Sequence, residues 1–177
     1  YCEVLSYKTT LEKIKERDPK AIILSGGPSS VFSENAPVCD KGIFDAGIPV
    51  LGICYGMQLM CHLLGGQVEP ARVKEYGKEE LFIDEQKGIF QNLEQQTTVW
   101  MGPSDSISML PPGFKSSAHT KNTPHAAISN GKNLFGIQFY PEHVHTLRGL
   151  EILNNFLFGI CGLSGTWSMK DYVDEQI

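Results

Sequence analysis

The chain of 177 residues carries no excess of positive charge: 15 Lys and Arg stand against 20 Asp and Glu, a net charge of −5. Its basic residues are scattered and leave no electrostatic footprint for nucleic acid, so that partner class is discounted. No apolar run approaches membrane-spanning length and no secretory signal is visible, so neither a membrane partner nor export is expected. The five cysteines, Cys2, Cys39, Cys54, Cys61 and Cys161, are odd in number and form no C-x-x-C. That pattern disfavours a disulfide framework and favours free thiols in a reducing cytoplasm. Internal repeats and low-complexity segments are absent. An initial methionine is also missing; the chain opens at Tyr1 inside what reads as a strand, and a fragment or processed piece is expected. What remains, 41% hydrophobic and 20% charged residues, suits one globular domain able to bury a core.

The first half alternates strand and helix signals. Residues 1–5 are β-prone. Thr9 and Glu12 stand at capping-box spacing before a helix carrying Leu11 and Ile14, which stops before Asp18-Pro19. Ala21-Ile22-Ile23-Leu24 is a continuous apolar run of the kind buried on both faces of a parallel sheet. Pro37 opens a predicted helix through Val38, Ile43 and Phe44. Val50 to Ile53 is a second buried strand, followed by a helix that closes at Gly65-Gly66. The fold expected from this alternation is α/β, a mostly parallel open sheet flanked by helices. The second half holds short β-like runs at residues 81–83, 97–101, 113–118, 126–129 and 134–139, read as an additional small antiparallel ribbon. A last helix carries Leu150, Leu153, Phe156, Leu157 and Ile160 on one apolar face.

Gly52-Ile53-Cys54-Tyr55-Gly56 concentrates the chemistry. A nucleophile between two glycines, where a strand turns sharply into a helix, is the elbow of hydrolytic enzymes, here with cysteine in place of serine. The turn is strained and leaves no room for side chains beside the nucleophile. The free N–H groups of the following helix favour a thiolate. Ligands of open α/β sheets bind beyond the carboxyl ends of the strands, where Ser25-Gly26-Gly27-Pro28, Cys54 and Tyr140-Pro141-Glu142 all arrive. Taken alone, Gly-Gly-Pro reads as a tight turn. Beside the elbow, Gly26 and Gly27 with the Tyr55 N–H read as an oxyanion hole. Cys2, Cys39, Cys61 and Cys161 lack such context and read as packing residues.

Cys54-Tyr55-Gly56-Met57-Gln58, with Ser25-Gly26-Gly27-Pro28 before it and Gln138-Phe139-x-Pro141-Glu142 after it, resembles the class I glutamine amidotransferases. Within them, residues 23–31 and 51–60, Glu75-Tyr76-Gly77, Val99-Trp100-Met101, His145-Thr146 and Gly162-x-x-Gly165-x-Trp167 look most like the glutaminase domain of GMP synthases. The resemblance implies a flavodoxin-like fold whose domain occupies residues 1–165, the family's first strand and helix being absent. Residues 166–177 would be a linker toward a missing synthetase (ATP pyrophosphatase) domain. It implies hydrolysis of glutamine by a cysteine through a thioester, with the ammonia passed on to aminate XMP to GMP. Cys54 is then the nucleophile and Glu142 the residue that orients the base, while Gly26, Gly27, Gly52, Tyr55 and Gln58 line the glutamine site. No metal or cofactor is expected in this domain; ATP and Mg²⁺ belong to the missing half.

Two positions depart from that pattern. Tyr140 stands where the family's catalytic histidine is expected. A phenol titrates near ~10 against ~6.5 for imidazole, so about one in a thousand is ionised at neutral pH. Glutaminase activity is therefore expected to be weak or absent, and a non-catalytic docking or regulatory module is the alternative. His143 and His145 are the nearby substitutes. Glu142-His143-x-His145 also has a metal-like spacing, but without a further ligand cluster exposed loop histidines are the stronger reading. The second departure is Gly102-Pro103, where GMP synthases usually carry Ser-His. Proline removes an N–H donor and fixes φ, which is expected to weaken glutamine binding.

Overall fold

All four residues of strand β2 (Val50–Ile53) are buried, and the rest of the molecule is arranged around it. The computed structural model describes residues 1–166, so Trp167 and all but the first residue of the expected linker lie outside them. β2 pairs in parallel with β1 (Ile22–Leu24) on one side and with β9 (Leu134–Ile137) on the other. Beyond β9 the sheet continues through β8 (Ala127–Ser129), β7 (Lys115–His119), β4 (Gly77–Ile83) and β5 (Gln96–Met101). Each of those four further pairings is antiparallel.

The seven-stranded sheet is thus mixed and mostly antiparallel, not mostly parallel as the strand–helix alternation suggests. The connections explain the difference. β8 and β9 are joined by a tight turn, where Gly131 takes φ 72° and Asn130 Oδ1 accepts the N–H groups of Lys132, Asn133 and Leu134. So short a link can only return the chain antiparallel, because a parallel partner needs a long crossover. The β-like runs of the second half therefore extend the main sheet. A separate two-stranded antiparallel ribbon does exist, but it pairs β3 (Gln67–Pro70) with β6 (Asp105–Met109), segments with no β reading in the sequence.

Side-chain alternation along β2 and β9 feeds two cores. Leu51, Ile53, Phe135 and Ile137 join Phe139, Ile152 and Phe156 on the face covered by α3 (Gly149–Asn154). Val50 and Leu134 join Met57, Met60 and Ile128 beneath α2 (Tyr55–Leu63). Each such side chain, fully buried, contributes about 1.5–3 kcal/mol. Gly52 and Gly136, directly paired across β2 and β9, let α2 lie close to the sheet. A Cβ on Gly52 would stand 2.7 Å from the Gly56 backbone, and one on Gly136 would stand 2.7 Å from Met57 Cγ.

Other local expectations shift for identifiable reasons. Residues 1–5 form no strand and are exposed. β1 is a sheet edge rather than an interior strand, and Ile23 is exposed. Helix α1 (Leu11–Lys15) forms, but its cap is tertiary: Asp40 Oδ2 accepts the Leu11 N–H at 2.9 Å, and Thr10 makes no side-chain cap. The backbone N–H groups of Leu11 and Gly42 hold the Asp40 carboxyl below its ordinary pKa. The helix expected after Pro37 shrinks to a 3₁₀ turn at Lys41–Phe44, burying Ile43 and Phe44 and leaving Val38 exposed. After α3, residues Asn155–Ile160 widen into π-helix. Ile152 and Phe156 are buried, while Leu150 at the start of α3 is exposed. Asn155 Nδ2 donates to the carbonyls of Ile89 and Gln91 at 3.0 and 2.8 Å.

One buried carboxylate ties the antiparallel half together. Glu75, just before β4, accepts from the hydroxyls of Thr120 and Thr123, both at 2.6 Å, and from the Asn122 backbone and side chain, both at 3.2 Å. Glu75→Gln turns one acceptor into a donor facing donors. It is expected to cost about 2 kcal/mol, seen as a melting point roughly 4–8 °C lower. An unchanged melting point would show that the network is not coupled to folding.

Candidate functional site

Cys54 sits between the end of β2 and the first turn of α2 with φ 48° and ψ −106°, a region costly for a residue with a Cβ. The neighbouring elements hold it there. Its N–H donates to the Ile137 carbonyl at 2.8 Å, and its carbonyl accepts the Gln58 N–H at 3.0 Å. The elbow read from the sequence is therefore present. Gly56 is required for a reason the sequence did not reveal: a Cβ there would lie 2.1 Å from the Leu24 carbonyl oxygen. Gly52 likewise lies close to the helix, where a Cβ would stand 2.7 Å from the Gly56 backbone and from the Met57 N.

Cys54 is 3% exposed, and its sulfur donates to the Gln138 carbonyl at 3.2 Å. Burial pushes the thiol up to about 12, the Tyr140 phenol draws it down in part, and the negative charge of Glu142 raises it further. Burial thus overrides the thiolate preference expected from the helix N-terminus. Tyr140 is also pushed up to about 12, first by burial and then by the charges of Cys54 and Glu142. Neither group is poised to give or take a proton at neutral pH.

Tyr140 is fixed by its backbone. Its N–H donates to the Trp100 carbonyl at 3.1 Å, and its carbonyl accepts from Thr146 Oγ1 at 2.6 Å. Its ring stands over the elbow, with Cε1 facing Gly26 and Cε2 facing Gly102. Glu142 is exposed on the same loop, and among the described residues no hydrogen bond joins it to Tyr140. His143 does not reach Cys54. It stacks on Trp100 with ring centroids 4.3 Å apart and planes 11° apart, and its Nδ1 accepts the His145 N–H at 3.2 Å. His145 lies on the same indole at 5.2 Å, and desolvation together with Lys78 and His143 holds its pKa low. Among the described residues no group of three or more His, Cys, Asp or Glu is arranged for a metal ion, and no helix is long and apolar enough to cross a membrane.

Gln58 is buried beneath the site. Its Nε2 donates to the Asp105 carbonyl at 3.0 Å and reaches Gln138 Oε1 at 3.4 Å. Asp105 in turn accepts from Ser30 Oγ at 2.6 Å. This chain of polar groups ties α2 to the loop at residues 102–105 and to the loop after β1. Ser30, Asp105 and Trp100 were not assigned roles from the sequence, since nothing local in it marks their contacts. Gly27 has open space at its Cβ position, and the Tyr55 hydroxyl donates to the Pro37 carbonyl at 2.7 Å. Gly26, Cys54 and Tyr140 thus converge at one point, with Gly102 on the far side of the ring.

The raised thiols have a consequence for stability. Cys54 and Cys61 are both pushed up to about 12 by burial, against an unfolded value near ~8.5. The folded state then keeps protons that the unfolded state has released. Their stabilising contribution is complete below about 8.5 and is lost as pH climbs toward 12. In reducing buffer the melting point is expected to fall progressively above pH ~8.5, with a shallower slope in Cys61→Ala. An identical slope in that variant would contradict the assignment.

The profile of the family described as glutamine amidotransferase class-I matches residues 1–160. The chain is 51% identical over its whole length to the GMP synthase [glutamine-hydrolyzing] of Acetivibrio thermocellus, and 52% to that of Caldanaerobacter subterraneus subsp. tengcongensis. It spans only about a third of those relatives, 35% of each. A crystal structure described as that of a GMP synthase subunit from Thermoplasma acidophilum is similar at TM-score 0.77 and 28% identity, covering 94% of this chain and 80% of that one. A glutamine amidotransferase of Thermotoga maritima shares the fold at TM-score 0.64 and 19% identity, covering 94% and 66%.

Proposed function

The chain belongs to the class I glutamine amidotransferase family, and from that premise we propose that it is the glutaminase domain of a GMP synthase whose own hydrolytic step is disabled at Tyr140. The observation that carries this reading is the Cys54 elbow meeting a phenol where the reaction needs an imidazole. In the proposed chemistry the Cys54 sulfur attacks the carboxamide carbon of glutamine, ammonia leaves, and water clears the resulting thioester. Each half needs a group that takes a proton from one atom and returns it to another. Tyr140 holds its proton far too tightly for that role, and Glu142 has no imidazole to orient. The N–H groups of Gly26 and Tyr55 would receive the oxyanion. The ammonia would pass to a cytoplasmic synthetase partner that aminates XMP with ATP and Mg²⁺.

A second reading follows from the same tyrosine: a non-catalytic module that docks on or regulates such a partner. One reconstitution separates the two. The chain is mixed with a GMP synthetase domain, XMP, ATP and Mg²⁺, with glutamine or ammonium as the nitrogen source. We expect GMP from ammonium with any variant, and from glutamine only with Tyr140→His. If Tyr140→His still fails with glutamine while the chain binds the partner and changes its ammonium-dependent rate, the docking reading holds. If the chain neither binds nor affects the partner, both fall.

A further inference from the structure

Tyr140 is more than a missing base, because its ring also occupies space. A methyl group built on Gly26 would stand 3.1 Å from Tyr140 Cε1 and 3.6 Å from Cys54 Cβ. One built on Gly102 would stand 3.3 Å from Tyr140 Cε2. The two carbons that flank the hydroxyl thus each face a residue with no side chain, on opposite edges of the ring. The ring further packs against the core that includes Cys54, Met101 and Phe139. With this ring in place Cys54 is almost wholly covered.

Mobility does not readily relieve the closure, because the backbone of Tyr140 is held from both ends. Besides the Trp100 and Thr146 bonds already described, Met101 pairs with Phe139, the Trp100 N–H donates to Thr146 Oγ1 at 3.0 Å, and the Leu147 N–H donates to the Thr98 carbonyl at 3.0 Å. The loop is stitched along the edge of β5.

We propose that the Tyr140 ring is a plug: it fills the space between Gly26 and Gly102 in which a carboxamide would approach Cys54, so the site is closed to ligand as well as short of a base. This rests on the reading of Cys54 as the site nucleophile. It makes Tyr140 a residue that decides access, and the excluded ligand class is a primary carboxamide carried on an amino acid.

Thiol alkylation by iodoacetamide, itself a small primary amide, reads access without requiring turnover. Labelling of each cysteine is followed by mass spectrometry at pH 8. Exposed Cys2 is the internal standard for reagent activity, and buried Cys61 reports unfolding. In the unaltered chain Cys54 is expected to label slowly relative to Cys2. Tyr140→Ala should accelerate Cys54 at least tenfold, whereas Tyr140→Phe, which keeps the ring and loses only the hydroxyl, should leave it slow. Equal acceleration in Phe and Ala, or none in Ala, overturns the plug. If Cys61 labels in Tyr140→Ala, that variant has unfolded and Tyr140→Leu, which is smaller than the phenol and carries no proton, decides by the same criterion. L-glutamine is then added to the opened variant. Protection of Cys54 by L-glutamine and not by D-glutamine supports the amide seat. Acceleration without such protection leaves the plug standing and contradicts the glutamine-site reading.

Discussion

Incubated with L-glutamine, this chain should release ammonia about 10⁴- to 10⁶-fold more slowly than a relative with histidine at the position of Tyr140, the range that follows loss of one member of a cooperating catalytic set. The structure contributes three reasons in the same direction. The thiol is pushed up to about 12, so at pH 8 roughly one in ten thousand is ionised. The phenol beside it is also pushed up to about 12, which rules it out as a base near neutrality. The histidines close in sequence are held on the Trp100 indole instead of the sulfur. His143→Ala should therefore leave any residual rate unchanged, and a large loss in that variant would reveal a rebuilt loop. The residual rate should rise with pH through the alkaline range, because the deprotonated sulfur is the reactive form. A bell-shaped profile centred near neutrality would instead report an imidazole.

Gly56→Ala is expected to be the most damaging single methyl addition in the elbow. The added carbon would lie 2.1 Å from the Leu24 carbonyl oxygen and 2.7 Å from its carbon, both backbone atoms that cannot swing aside. Overpacking of this kind costs about 3 kcal/mol, here a melting point roughly 6–12 °C lower, and more if the elbow cannot reform. Gly27→Ala is the matched control, since nothing stands within 4 Å of its added carbon. Its effect should stay within about 0.5 kcal/mol. Equal effects at the two positions would refute the close-approach explanation of the elbow.

The elbow was legible because it is local: strand, glycine, cysteine, glycine and helix follow one another, and the structure reproduces each step. The same holds for β2 and α2. The sheet was not legible, because pairing is decided by connection length and by partners far apart in sequence. Val50–Ile53 looks like a parallel strand and is one, yet the sheet beyond β9 is built entirely from antiparallel pairings. Ala21-Ile22-Ile23-Leu24 looks interior by composition and lies at an edge. Thr9 and Glu12 have capping-box spacing, but Asp40, 29 residues beyond Leu11, makes the cap. At the site, the tyrosine at position 140 was visible and its chemistry followed from a side-chain pKa. Its occupation of the space between Gly26 and Gly102 was not visible, since residues 26, 54, 102 and 140 meet only in the fold. Gln58 takes part in a buried polar chain and Gly52 in the close approach of α2 to the sheet, contacts that nothing local in the sequence marks.

If the elbow sulfur is intact and lacks only a proton carrier with room to work, one substitution should restore it. The unaltered chain, Tyr140→His and the Tyr140→His/Cys54→Ala double variant are incubated with glutamine, measuring ammonia and searching Cys54 for a glutamyl adduct by mass spectrometry. Ammonia and adduct are expected in Tyr140→His alone. Turnover by the unaltered chain comparable to Tyr140→His, and lost in the double variant, would show that Tyr140 disables nothing.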